Sequence, residues 1–310
     1  MAGELAIRLQ QLTKTYRTRR GQVEALRGLD LEVRVGEIFG YIGVNGAGKS
    51  TSIKILLGLS QATSGQAEIF GEPAGTLAAR SKVGYLPEVA TYHEFMTVEE
   101  LLRIHARLAG VPDKMLEERC RVALESVKLD HRRRSRISEL SKGLKQRFGV
   151  AQALVGDPPL LILDELTSGL DPFAQRDLRD ILVALRARNI TVFFSSHYMS
   201  EVEAVCDRAA IIHNGQLQVC GTIPELTENR EKVELVLQAS PQALAELPNL
   251  EPVSDEVGEL HRVSLNREEA DAYLARCLAL GCSVRRLNTV QHSLEDVFYQ
   301  ITRPQGSKNP

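Results

Sequence analysis

Long hydrophobic runs are missing from this chain of 310 residues. Its most apolar stretches, IKILLGL and PLLIL, fall far short of the roughly 18–20 residues that span a bilayer, so no segment is expected to cross a membrane by itself. The start, MAGELAIRLQ, has neither the basic region nor the apolar core of a leader peptide. A strong charge of one sign is also absent. A formal net charge of -2 gives no whole-molecule argument for a nucleic-acid partner, and none is expected. The basic clusters YRTRR (16–20) and DHRRRSR (130–136) read as solvated loops. Cysteine is scarce and odd in number: Cys120, Cys206, Cys220, Cys277 and Cys282 fit no zinc spacing and suit reduced, space-filling thiols. The histidines show no metal spacing either.

With 43% hydrophobic residues the chain can bury a real core, and its length suggests two domains. From residue 4 to about 43 the text alternates like strands: LAIRLQQLTKTY, QVEALRGLDLEV and GEIFGYIG, with turn signals between them. A helix is expected from Lys49 to Leu57, a strand near 66–70, and a long polar, mostly helical region over about 98–154. Strand and helix then alternate through LLILDE, AQRDLRDILVALRARN, TVFFSS and MSEVEAVCDR, followed by a hairpin at Asn214-Gly215. Such alternation predicts an α/β fold with a largely parallel, helix-covered sheet. The charged run TENREKVE (227–234) reads as a linker to a second, smaller α+β domain at about 233–302, and the tail 303–310, with nothing apolar to bury, is expected to be disordered.

The strongest chemical signal is GVNGAGKS (43–50), which fits G-x-x-x-x-G-K-[ST] between a predicted strand and a predicted helix. Glycines at 43, 46 and 48 let backbone N–H groups turn onto a phosphate at a helix N-terminus, and Lys49 can reach the β and γ oxygens. Ser50 is the candidate ligand for Mg²⁺. Such a site also wants a carboxylate at the end of a neighbouring buried strand, and LLILDE supplies Asp164, with Glu165 next in line to polarise a water. The stretch LSKGLKQR (140–147) opens a helical pattern with Ser141 as N-cap. Read alone it is either an ordinary helix start or an anion-binding one.

Taken together, GVNGAGKST, LSKGLKQR about 90 residues later, LLILDELTSGLDP directly after it and FFSSH beyond resemble the ATP-binding cassette ATPases that drive ABC transporters. The resemblance covers residues 4 to about 226, with the helical subdomain at about 89–155, and implies a P-loop NTPase fold of the ABC type. It implies that ATP and Mg²⁺ are bound by Gly43, Asn45, Gly46, Ala47, Gly48, Lys49, Ser50 and Thr51, with Tyr16 stacking on adenine. Glu165 and His197 become the catalytic pair, and Asp164, Ser50 and Glu88 the metal set. Residues 168–171, ending in Asp171, form the D-loop, and GYLPE (84–88) takes the place of the Q-loop. Leu140 to Gln146 fill the signature usually written LSGGQ, so that Ser141, Gly143 and Gln146 of one subunit would cap the nucleotide held by another. Lys142, Val44, Leu166 and Glu88 depart from the family's common residues, and Glu88 adds a negative charge where glutamine is usual. SLEDVFYQIT (293–302) is similar to the segment that closes exporter ATPases paired with type-two ABC permeases. The resemblance therefore implies a cytoplasmic-face ATPase subunit of an exporter, dimeric with itself or a second ABC ATPase, beneath separate permease subunits. A soluble ABC ATPase acting on nucleic acid or ribosomes is the alternative; such proteins usually carry coiled-coil insertions or two cassettes, neither of which this sequence contains.

Overall fold

The computed structural model of the chain describes residues 4–19, 21–255 and 258–302. It divides into two units, one running to Ile223 and including Ile301 and Thr302, the other Pro224–Gln300.

The first unit opens with two long strands, β1 (Leu5–Thr18) and β2 (Gly21–Arg34), followed by β3 (Ile38–Ile42) and α1 (Lys49–Leu56). Next come β4 (Ser64–Ile69), β5 (Glu72–Pro73), α2 (Leu77–Arg80) and β6 (Val83–Leu86). The helices α3 (Val98–Leu108), α4 (Leu116–Ser126) and α5 (Lys142–Leu154) form the polar middle. The unit continues with β7 (Leu160–Asp164), α6 (Pro172–Ala187), β8 (Thr191–Ser196), α7 (Met199–Val205), β9 (Arg208–His213) and β10 (Gln216–Thr222).

Two sheets result. One is antiparallel in the order β2-β1-β4-β5, and the other is six-stranded in the order β10-β9-β3-β8-β7-β6. The strands from β9 to β6 run parallel, and β10 returns antiparallel through the Asn214-Gly215 hairpin. The largely parallel, helix-covered sheet expected from the alternating text is therefore present, in the P-loop NTPase form that the resemblance implies. Its reason is visible in the burial: every residue of IFGYI, LLILD and TVFFSS is buried, which suits strands covered on both faces by helices. Phe39 stacks on Phe193 at 5.9 Å between ring centroids, and Tyr41 tilts against the same ring at 5.2 Å. These contacts tie β3 to β8 in the centre of the sheet.

The helical segment begins with a capping box, in which Thr97 Oγ1 accepts from Glu100 N and Glu100 returns a bond to Thr97 N. Helix α5 packs against the edge strand β6 so closely that a Cβ on Gly84 would lie 2.0 Å from the Ala153 carbonyl oxygen. The expected strand and helix series is realised with small shifts. The pair β5 and α2 has no counterpart in the sequence reading, because two- and four-residue elements carry no periodicity.

In the second unit, α8 (Ile223–Thr227) leads into β11 (Glu228–Gln238), α9 (Pro241–Glu246), β12 (Glu251–Asp255), β13 (Gly258–Asn266), α10 (Arg267–Ala279), β14 (Ser283–Gln291) and α11 (Leu294–Thr302). The strands form an antiparallel sheet in the order β12-β13-β11-β14. Leu235, Leu237, Val263, Cys277 and Cys282 are buried in its core. The charged run read as a linker is taken up by α8 and β11, where Glu228 stands opposite Gln291 and Lys232 opposite Asn266. Backbone pairing, not side-chain hydrophobicity, defines that strand start. The expected tail at 303–310 lies outside the described residues.

The closeness of α5 to β6 gives a direct expectation. Gly84→Ala should cost about 1–3 kcal/mol, the usual range for forcing an extra methyl into a packed site, because the neighbour is backbone and cannot rotate away. Urea unfolding of the purified protein checks this, and an unchanged midpoint would show that α5 is free to shift.

Candidate functional site

The C-terminal ends of β3, β7 and β8 lie side by side, and Lys49, Asp164, Glu165 and His197 grow from them. From β3 the chain leaves through Gly43 to Gly48 and enters α1. Gly46 and Gly48 have φ of 83° and 112°, values that favour glycine over any residue with a Cβ. Lys49, the first residue of α1, is 5% exposed. Its Nζ donates to the Gly43 carbonyl at 2.5 Å and lies 3.1 Å from Glu165 Oε1. The Asn214-Gly215 hairpin braces the loop from outside: Gly215 N donates to the Ala47 carbonyl at 2.9 Å, and Arg27 N of β2 donates to the Gly215 carbonyl at 2.9 Å.

From β7 come two consecutive carboxylates. Asp164 closes the strand, and Glu165 follows it with a left-handed φ of 50°, from which its side chain reaches Lys49. For a non-glycine residue this conformation costs about 1–3 kcal/mol and is typical of functional turns. Ser195 of β8 stabilises the turn: its Oγ donates to Asp164 Oδ1 at 2.5 Å, and both its Oγ and its carbonyl accept from Glu165 N at 3.1 Å. Glu165 Oε2 accepts from Nδ1 of His197 at 2.6 Å. Lys49, Glu165 and His197 thus form one continuous polar chain, buried at the lysine and 40% exposed at the histidine.

Beside this chain is a cavity of about 360 Å³. Its wall includes Val44, Asn45, Gly46, Gly48, Lys49, Ser50 and Thr51, with Glu88 and Glu165 on one side and Val23, Glu24 and Ala25 of β2 on another. The loop residues, both carboxylates and the histidine are brought together. Tyr16 does not line the cavity: it stands opposite Val23 in the β1–β2 ladder, with Lys14 Nζ 4.9 Å from its ring centroid. Ser141, Gly143, Gln146 and Asp171 also lie off this cavity. Ser141 caps α5 by accepting from Leu144 N at 3.3 Å, and Asp171 caps α6 by accepting from Ala174 N at 2.9 Å. These two helix starts adjoin, since Gly143 packs beside Ala174 and Lys142 Nζ lies over Gly169.

The electrostatics follow from burial. The Asp164 carboxyl is held above the ordinary aspartate range, chiefly by burial, against the Ser195 hydrogen bond; the Glu165 charge raises it further and the Lys49 charge opposes. Tyr85 is pushed up to about 12 by burial together with the charges of Asp164 and Glu88. Ser195 and Tyr85 are residues that motif reading passed over. The doubled serine before His197 was the available signal for the first, but nothing in the sequence placed its hydroxyl on Asp164.

A folded-state pKa above the unfolded value means that Asp164 stabilises the fold fully below about 3.8 and loses that contribution as pH rises through its folded value. Asp164→Asn keeps an acceptor for Ser195 and removes the buried charge. Without nucleotide, its Tm should exceed that of the wild type near neutral pH, and the difference should vanish in acid. Thermal melts across pH check the sign.

Comparison with known proteins places this arrangement. The ABC transporter family matches residues 26–168. The chain is 34% identical over 304 residues to the bacitracin transport ATP-binding protein BcrA of Bacillus licheniformis, covering 95% of this chain and 96% of that protein. It is 33% identical over 303 residues to the Nod factor export ATP-binding protein I of a Rhizobium species, covering 96% and 97%. Among solved structures, one described as the ATP-binding subunit of an ABC transporter superposes with a TM-score of 0.63 at 31% identity, covering 71% of this chain and 91% of that one. A phosphate loop, a lysine–glutamate–histidine chain at three adjacent strand ends and full-length similarity to these proteins lead to one assignment: the chain belongs to the ATP-binding proteins of the ABC transporter family.

Proposed function

We propose that this chain is the ATP-hydrolysing subunit of an exporter, acting as a dimer on the cytoplasmic face beneath separate membrane permease subunits. The observation that carries the reading is the polar chain from Lys49 through Glu165 to His197 beside the phosphate loop. The export direction is supported by the bacitracin transport and Nod factor export proteins, and no helix among the described residues is long and apolar enough to cross a membrane, so the translocation path would belong to a partner.

In this reading Gly46, Gly48, Ser50 and Thr51 offer backbone N–H groups to the phosphates at the start of α1, where the helix dipole favours anions, while Ala47 N donates to the Val44 carbonyl at 3.0 Å inside the loop. Lys49 exchanges its Glu165 oxygen for phosphate oxygens, which leaves Glu165 to accept a proton from the attacking water. His197 would keep the Glu165 carboxylate oriented through Nδ1, and its side chain is 40% exposed. Tyr16 would stack on adenine if the β1–β2 ladder supplies that wall.

Mg²⁺ fits the donor set. No group of three or more His, Cys, Asp or Glu side chains converges on a metal position among the described residues. The residues that would hold the ion are Ser50, Asp164 and Glu88, of which Asp164 has one oxygen engaged by Ser195. So thin a set suits an ion that keeps waters and phosphate oxygens as its other ligands. When bound it would neutralise phosphate charge.

Ser141, Gly143 and Gln146 lie off the cavity of their own chain, which agrees with their serving a partner's nucleotide. ATP would close the dimer and hydrolysis reopen it, and the permease would convert this into alternating access. Glu165→Gln should leave ATP binding intact and slow hydrolysis by roughly 10² to 10⁴. Equal turnover in mutant and wild type would remove Glu165 from the role of base. A shared site has a sharper signature. Ser141→Arg and Lys49→Ala homodimers should both be nearly inactive, while a verified mixed dimer contains one site with an intact phosphate loop and an intact signature, so turnover should return. Persistent inactivity would return Ser141 to the role of a plain helix cap.

A further inference from the structure

Glu201 lies on α7, four residues beyond His197, and is only 7% exposed. Its Oε2 accepts from the Thr167 hydroxyl and lies 3.5 Å from Ser196 Oγ, whose one proton is shared with the Tyr198 carbonyl at 3.4 Å. Its Oε1 is buried with no hydrogen-bond partner among the described residues. Burial pushes the carboxyl above the glutamate range, while the hydrogen bonds from Thr167 and Ser196 and the charges of His197 and Arg179 pull the other way. Leaving a polar atom buried and unpaired is costly, and a turn facing water could satisfy Thr167 without it.

The two hydroxyls that meet at Glu201 belong to the two turns that carry the chemistry. Thr167, 5% exposed, follows Glu165 by two residues inside a turn closed by Ser168 N donating to the Glu165 carbonyl at 3.3 Å and Leu170 N to the Thr167 carbonyl at 3.2 Å. Ser196 immediately precedes His197, and its Oγ accepts from Tyr198 N at 2.9 Å. The doubled serine at the end of β8 therefore works in two directions, Ser195 towards the carboxylates of β7 and Ser196 towards α7. Glu201 does not line the nucleotide cavity.

We propose that Glu201 is a positioning residue for ATP hydrolysis: by holding Thr167 and Ser196 on one carboxyl oxygen it keeps the turn of Glu165 and the turn of His197 in register. The proposal rests on the ATPase reading above. Glu165 and His197 meet at 2.6 Å, and a displacement of about 1 Å between reacting groups is enough to cost roughly 10²-fold in rate. Nucleotide binding, which is built from β3 and α1, does not pass through this link.

The test is steady-state ATP hydrolysis by the full chain. Glu201→Ala should lower kcat by about tenfold or more with KM for ATP changed by less than about twofold. Glu201→Gln retains an oxygen acceptor at nearly the same volume and should return kcat to within about twofold of wild type. Thr167→Val removes the hydroxyl and keeps the shape. It should reproduce the alanine loss, and the Glu201→Ala/Thr167→Val double variant should be no slower than the slower single one, since both cut one link. Wild-type kcat in Glu201→Ala, failure of Glu201→Gln to rescue, or losses that multiply in the double variant would each overturn the proposal. If Glu201→Ala does not fold, Thr167→Val and Glu201→Gln decide between them: a slowed valine variant beside an active glutamine variant supports the link, and any other pairing removes it. A wild type without turnover, or one no faster than Glu165→Gln, fails the ATPase reading instead.

Discussion

The nucleotide end of this protein depends on seating the ammonium group of Lys49 inside the fold. A buried cation without partners is expensive. Here the Gly43 carbonyl and the Glu165 carboxylate are its partners. That requirement explains the neighbouring geometry. Glu165 must turn through a left-handed φ to reach the lysine, Ser195 must stabilise the turn, and β3, β7 and β8 must be adjacent for any of these contacts to form. An ion pair of this kind adds little to stability compared with well-packed apolar side chains. In the proposed function its value is to supply a carboxylate and a cation that separate when a more highly charged anion arrives.

Much of this was legible in the sequence, because the motifs are local. A phosphate loop is eight consecutive residues, and an acidic pair at the end of an apolar run is another short string. The parallel sheet was likewise readable from strands that are apolar throughout. What the text could not show are the contacts made across strands. Ser195 on Asp164 joins residues 31 positions apart, and Thr167 on Glu201 joins residues 34 apart. No periodicity marks such pairs, since each member alone resembles an ordinary polar residue near a turn. The strand start at Glu228 was misread for a related reason: backbone hydrogen bonding to β14 outweighs a side-chain pattern that looks like a linker.

Tyr16 shows a different limit. Aromatic residues near the end of a first strand can pack, stack on a ligand or simply face solvent, and sequence alone weighs these by resemblance. The fold sets Tyr16 across the ladder from a residue of the cavity wall rather than in the wall itself. The helix starts at Ser141 and Asp171 adjoin one another and stand apart from the cavity, so the two segments share a base on α5 and α6.

The order of strands in the parallel sheet also governs when the site can exist. The phosphate loop hangs on β3, yet both neighbours of β3 come much later in the chain: β8 ends at Ser196 and β9 at His213. Contacts so distant in sequence must wait for the intervening loop to close, which is slow compared with local helix formation. During synthesis the first two long strands can pair as soon as they emerge, while β3 leaves the ribosome with no partner on either side. A chain stopped after α5 would carry the whole loop sequence and Ser141 but neither Glu165 nor a strand on either side of β3. The strand that carries the phosphate loop therefore has both neighbours only once the chain has been made as far as His213.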